Sequence, residues 1–201
     1  MDRKTNILKR FVIYMAILTF VMFTVWAFVK SFRNRPPGDY HTEVCDIRLK
    51  DKKYDQAIDA ANTALEKTPN HRGAIMCKAL VYISEKKYFK ATEELNYLIN
   101  FLQNNLVDDD KTGKGTLAAA YANRGIIKDR SKNYEDALKD YIKALGIDDV
   151  AVAGPGLGTI ILNYKFKSSS VRERALYLNE QLQLPVEERI LRIEELDAGQ
   201  V

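Results

Sequence analysis

The sequence predicts an all-α protein: an N-terminal transmembrane helix, a short solenoid of about three helix-turn-helix repeats, and a C-terminal helical cap. Three observations predict it. The run from Phe11 to Val29, FVIYMAILTFVMFTVWAFV, holds 19 residues and no charge. Farther on, one pattern of small and aromatic residues recurs: Tyr54, Ala57, Ala61 and Ala64; Tyr88, Ala91, Leu95 and Leu98; Tyr134, Ala137, Tyr141 and Ala144. Ala57 and Ala91 are 34 residues apart, and Ala91 and Ala137 are 46 apart, one repeat length and twelve residues more. Finally, Ser170 and Glu173 form an S-x-x-E capping box that opens a further helix.

From the N-terminus, residues 1–10 read as a basic tail and 11–30 as the membrane helix. A 19-residue helix is about 28 Å long, close to the hydrocarbon thickness of a bilayer. Trp26 lies near the far end, where an indole suits the interface. A cleaved signal peptide would have a shorter apolar run and an A-x-A-like site, and this stretch has neither. Arg3, Lys4, Lys9 and Arg10 precede the span; Lys30, Arg33 and Arg35 follow it. By the positive-inside rule the N-terminus is cytoplasmic and the repeats lie on the far side, which in a bacterium is the periplasm. Residues 31–37 read as a linker that Pro36 and Pro37 stiffen, holding the next domain close to the membrane.

Repeats follow over 38–149, at about 38–71, 72–105 and 118–151, with an insertion at about 104–117. Pro69 ends the second helix of the first repeat. In the second repeat the second helix continues through Leu98, Ile99, Phe101 and Leu102, and residues 108–116, DDDKTGKGT, read as the loop that breaks it. Residues 150–201 read as a cap for the last repeat, because a solenoid end needs its apolar face covered. Within it, 154–158 read as a glycine-rich turn and 159–166 as a short helix. A helix over 171–182 presents Val171, Ala175, Leu178 and Leu182 on one face. Pro185 suits the first position of a last helix, striped by Val186, Ile190 and Ile193.

The best-formed repeat, residues 121–147 (YANRGIIKDRSKNYEDALKDYIKALGI), resembles the tetratricopeptide repeat (TPR) family. Gly125 and Ala137 fall on the motif's small positions, where paired helices press together. The resemblance covers over half of the chain and implies a scaffold that holds a peptide or helix in a concave groove lined by the first helix of each repeat. It puts Asp39, Thr42, Glu43 and Asp46 of the first repeat on groove positions. The second repeat contributes Met76, Cys77, Leu80 and Ile83, and the third Ala122, Asn123, Ile126 and Asp129. The lysines with which one TPR variety grips chaperone tails are missing. Partner binding is therefore expected at Met76, Leu80, Ile83, Asn123 and Ile126, where apolar side chains suit a partner helix. The expected role is an accessory or assembly factor of a membrane-associated complex. An integral subunit of such a complex and a receptor for basic targeting peptides are the alternatives.

Composition narrows the chemistry. The net charge of +4 is mild, so nucleic acid is not an expected partner. Two cysteines are too few for a disulfide framework or a zinc module. His41, Cys45, His71 and Cys77 make a metal site only on paper, since Cys in a TPR core acts as a small hydrophobe. A Cys45–Cys77 disulfide is open if the domain is extracytoplasmic, because their helices should be neighbours. Residues 113–116, GKGT, lack the glycine and the Lys–Ser/Thr order of a phosphate loop and read as surface loop. No nucleophile–base pairing stands out, so no catalysis, cofactor or small-molecule substrate is expected. Turn lysines and arginines (Lys50, Lys52, Lys53, Lys86, Lys87, Arg130, Lys132) line one edge and are expected to keep the array soluble, the alternative being an edge that meets anionic lipid head groups or an acidic partner.

Overall fold

A computed structural model of the chain describes residues 3–33, 36–152 and 170–192, and every regular element among them is helical. The chain divides into two compact units, Met1–Pro37 and Gly38–Val201.

The first unit is one helix, α1 (Arg3–Arg33). Its stretch Ile7–Lys30 has a mean hydropathy of 2.3 and is long and apolar enough to cross a membrane. Thr19 and Thr24 turn their hydroxyls onto the carbonyls of Met15 and Val21, so both hydroxyls are satisfied within the helix. The Lys30 ammonium stands 4.9 Å from the Trp26 ring centroid. The helix takes in most of the tail and the start of the linker, because no glycine or proline interrupts the sequence before Pro36.

The second unit stacks three helical hairpins: α2 (Asp39–Lys50) with α3 (Tyr54–Lys67), α4 (Arg72–Ser84) with α5 (Tyr88–Asn105), and α6 (Lys111–Arg130) with α7 (Tyr134–Ile147). First helices neighbour each other, α2 against α4 and α4 against α6, and α3 and α5 each pack on the first helix of the next hairpin. The sequence repeat is the packing repeat. Ala57, Ala91 and Ala137 have no exposed surface; neither do Ala61, Leu95 and Tyr141, nor Ala64, Leu98 and Ala144. Gly125 shows why small residues are needed. A Cβ there would lie 2.7 Å from two ring carbons of the buried Tyr141 and 3.3 Å from the Ala137 carbonyl oxygen.

All three hairpin turns are built alike. The N–H of Lys52 donates to the Leu49 carbonyl and that of Lys53 to the Arg48 carbonyl; Lys86 and Lys87, and Lys132 and Asn133, repeat the pair. This is a Schellman closure of the first helix, whose left-handed residue is usually glycine. Here lysine holds that place each time, at φ of 59°, 60° and 65°.

The twelve inserted residues do not make a broken loop. Relative to the first hairpin pair, α5 gains four residues, α6 gains seven at its start, and the connection between them gains one. Asp110 is the reason α6 starts early: its carboxylate caps the Gly113 N–H at 2.7 Å and takes an ion pair from Arg72. Residues 113–116 are thus helical, not a surface loop. Gly113 suits this crowded spot, since a Cβ would come within 2.9 Å of the Leu106, Asp110 and Arg72 side-chain ends and make them shift.

The next described helix, α8 (Val171–Gln183), opens with the expected capping box: Ser170 accepts from the Glu173 N–H at 3.2 Å, and Glu173 accepts from the Ser170 N–H at 2.9 Å. It packs on α7 through Ala175 and Leu178. Among the described residues the expected last helix is absent. Pro185 has ψ 147°, and only a single 3₁₀ turn, Val186–Glu188, follows before the backbone extends at Arg189. The short turn satisfies too few backbone groups to hold a helix, and side chains of α8 take the chain's polar groups instead. The expected glycine turn at 154–158, the helix at 159–166 and Ile193 lie outside the described residues.

Candidate protein-binding face

The α4 and α6 helices carry the residues expected to bind a partner. Met76 and Leu80 of α4 are half-buried and rest on the main core cluster. Asn123 of α6 reaches across: its amide donates to the Ala119 carbonyl at 2.9 Å and contacts the Met76 sulfur at 3.8 Å. Ile126 is half-buried and packs on a separate cluster formed by Ala137, Tyr141, Ala175 and Leu178. Ile83 departs from the expectation. It is 9% exposed and belongs to the core, because α5 and α6 close over the end of α4. Ala122 is likewise buried.

Two other groove positions are consumed by structure. Cys77 is bonded to Cys45, which joins α2 to α4 across a Cα separation of 6.4 Å; both residues are fully buried. The disulfide sits among Ala57, Ala60, Ala61 and Val81, where no water competes. Asp129 is 2% exposed and is taken by Arg174 of α8, itself 1% exposed. The Arg174 guanidinium donates through Nε at 2.7 Å and Nη2 at 2.8 Å to the two carboxylate oxygens, and the Tyr141 hydroxyl adds a third bond at 3.1 Å. A planar fork facing a carboxylate suits such a buried site.

On α2, Asp39 and Thr42 are also committed. Asp39 meets the His71 Nε2 at 2.8 Å, while His71 Nδ1 caps the Ala74 N–H at 3.2 Å and contacts the Thr42 hydroxyl at 3.3 Å. His71 therefore seats the start of α4. His41 meets the Lys67 ammonium at 2.6 Å. Among the described residues no group of three His, Cys, Asp or Glu side chains converges on a metal-sized site. Glu43 and Asp46 stay at the surface of α2. Neighbouring groups that take water from Asp46 push its carboxyl up, Lys50 opposes this, and Glu43 adds to it.

Repeats two and three are clamped by a second charge cluster. Asp140 of α7 receives Arg124 at two 2.8 Å bonds and Lys128 at 2.8 Å, and Arg124 extends to Asn96 of α5 at 2.6 Å. Burial alone would raise the Asp140 carboxyl; the bonds from Arg124 and Lys128 outweigh it and hold the group below the usual carboxylate range.

The chain after α8 turns back along that helix. The Ile190 N–H donates to the Gln181 side-chain oxygen at 2.7 Å, the Tyr177 hydroxyl donates to the Ile190 carbonyl, and Arg174 Nη2 donates to the Leu191 carbonyl at 2.8 Å. Leu191 packs on the same cluster as Ile126. Neither this arrangement nor the Arg174 pair was anticipated from sequence. A signal existed for the pair: Arg174 stands in the apolar stripe between Val171 and Leu178, where a lone arginine requires a buried acid.

No protein-family model matches this chain, and no curated protein matches its sequence.

Proposed function

We propose that this chain is a membrane-anchored scaffold of the TPR type that holds a protein partner against its stacked first helices, as an accessory or assembly factor of a membrane-associated complex. One observation carries the reading: Met76, Leu80 and Ile126 put half-buried apolar side chains on α4 and α6, with Asn123 between them. An amphipathic partner helix suits such a row, with its apolar stripe on Met76, Leu80 and Ile126. Ile83 drops out of the row, and Asn123 sets its spacing. The double variant Leu80→Asp plus Ile126→Asp should abolish co-purification of the partner from mild detergent while leaving the helical melt nearly unchanged. Unfolding of that variant would make the row core and sink the reading.

The repeat domain, in this reading, lies on the non-cytoplasmic side, in a bacterium the periplasm. The charge bias around the span supports it, and so does a fully buried Cys45–Cys77 bond, since structural disulfides persist in oxidising compartments. A topology reporter fused after Val201 that is active only in the cytoplasm would overturn it.

A further inference from the structure

We propose that the face of α8 carrying Arg174, Tyr177 and Gln181 is a binding site for an extended peptide strand, and that the chain's own Arg189 to Arg192 stretch occupies it here in cis. Its partner is an extended protein segment with one leucine-like anchor, read mainly through its backbone. Tyr177 and Gln181, and Arg174 through one of its bonds, all on one face of α8, meet main-chain groups: the carbonyl and N–H of Ile190 and the carbonyl of Leu191. Recognition of backbone groups tolerates many sequences, and the apolar cluster under Leu191 supplies selectivity.

The site is built independently of its occupant. Arg174 is fixed by two bonds to Asp129, which Tyr141 also holds, and none of these three bonds runs through Leu191. The cluster that Leu191 packs on includes Tyr141, Ala175 and Leu178, buried residues of α7 and α8. The occupant, in contrast, is held by polar bonds more than by burial; besides those from Arg174, Tyr177 and Gln181, Arg189 donates to the carbonyls of Leu184 at 2.9 Å and Leu182 at 3.1 Å. Val186 is 71% and Ile190 63% exposed, so the segment buries little apolar surface besides Leu191. A stretch fastened by few buried contacts opens at a lower free energy than the core it rests on. Peptide capture at α8 does not require a partner on the Met76–Leu80 row, and the two readings are tested separately.

The probe is a fluorescein-labelled peptide with the sequence of residues 184–192, LPVEERILR, titrated into the full chain in detergent micelles. Leu191→Asp should release the cis segment, and that variant should bind the peptide at least about ten-fold more tightly than the natural chain, where the occupied fraction lowers apparent affinity. Adding Gln181→Ala or Tyr177→Phe to Leu191→Asp should weaken binding several-fold with no change in the melt. A peptide carrying the same leucine-to-aspartate change should not bind. Equal binding to the natural and Leu191→Asp chains, or no saturable binding to the variant, overturns the proposal. Hydrogen exchange of the natural chain guards against a variant that fails to fold. The Ile190 amide should exchange well before the amides of α7; exchange only together with α7 makes the segment core and also overturns it.

Discussion

Replacing Arg174 by methionine tests whether the buried ion pair docks α8. Methionine keeps much of the apolar length and removes the guanidinium. Asp129, 2% exposed, is then left with the Tyr141 hydroxyl at 3.1 Å, having lost two bonds of 2.7 and 2.8 Å. Removing one partner of a buried pair typically costs about 3–5 kcal/mol, because the other charge is stranded. That is a large share of the roughly 5–15 kcal/mol that holds a domain together. One escape exists: α8 can lift off α7 and let water reach Asp129, so the loss cannot exceed the free energy that docks α8. Adding Asp129→Leu removes the stranded charge; what it newly breaks is the 3.1 Å bond from the Tyr141 hydroxyl, at about 1–3 kcal/mol. The double variant should therefore be more stable than Arg174→Met alone, a coupling that a double-mutant cycle reads directly. Urea unfolding of the full chain in mild detergent, followed by far-UV ellipticity, supplies the four stabilities, with the slope checked for constancy. A loss below about 1 kcal/mol for Arg174→Met, or a double variant as unstable as the two singles summed, refutes the reasoning.

Three further predictions follow from the same packing. Serine at both Cys45 and Cys77, whose bond closes a separation of 32 residues, should cost about 3–4 kcal/mol by the loop-entropy relation; alkylation of protein isolated with its thiols blocked should label neither cysteine, and full labelling would place the domain in a reducing compartment. Asp140 titrates below its unfolded value, so its contribution is complete above the ordinary carboxylate pKa of about 3.9 and is lost as the pH falls through the lower folded value. Asp140→Asn should thus lose about 1–3 kcal/mol at neutral pH, with the gap to the natural chain narrowing below pH ~4; a gap that does not change with pH would show the bonds from Arg124 and Lys128 are not charge-dependent. Glycine at Lys52, Lys86 and Lys132 removes a left-handed Cβ penalty of about 1–2 kcal/mol per site and adds about 0.5–1 kcal/mol of backbone entropy, so the triple variant should melt higher; a lower melting temperature would mean those lysine side chains hold the turns.

The sequence by itself determined the all-helical class, the apolar first helix, the hairpin repeat and the capped start of α8. Each of these is a local pattern: an uncharged run, small residues recurring at Ala57, Ala91 and Ala137, and a serine three residues before a glutamate. Short-range backbone bonding and side-chain periodicity fix such features before any distant contact forms. Only the tertiary structure decided which polar groups meet. Asp129 and Arg174 are 45 residues apart, and Asp129 read in sequence as a groove residue became the buried anchor of α8. Asp110, read as part of a loop, instead started α6, because Arg72 from 38 residues away joins it there. The expected helix after Pro185 gave way to a single 3₁₀ turn and then irregular chain, whose backbone groups at Ile190 and Leu191 meet Tyr177, Gln181 and Arg174. Composition shows that a charge or an amide is present; its burial, and therefore its partner, is set by which helices stack.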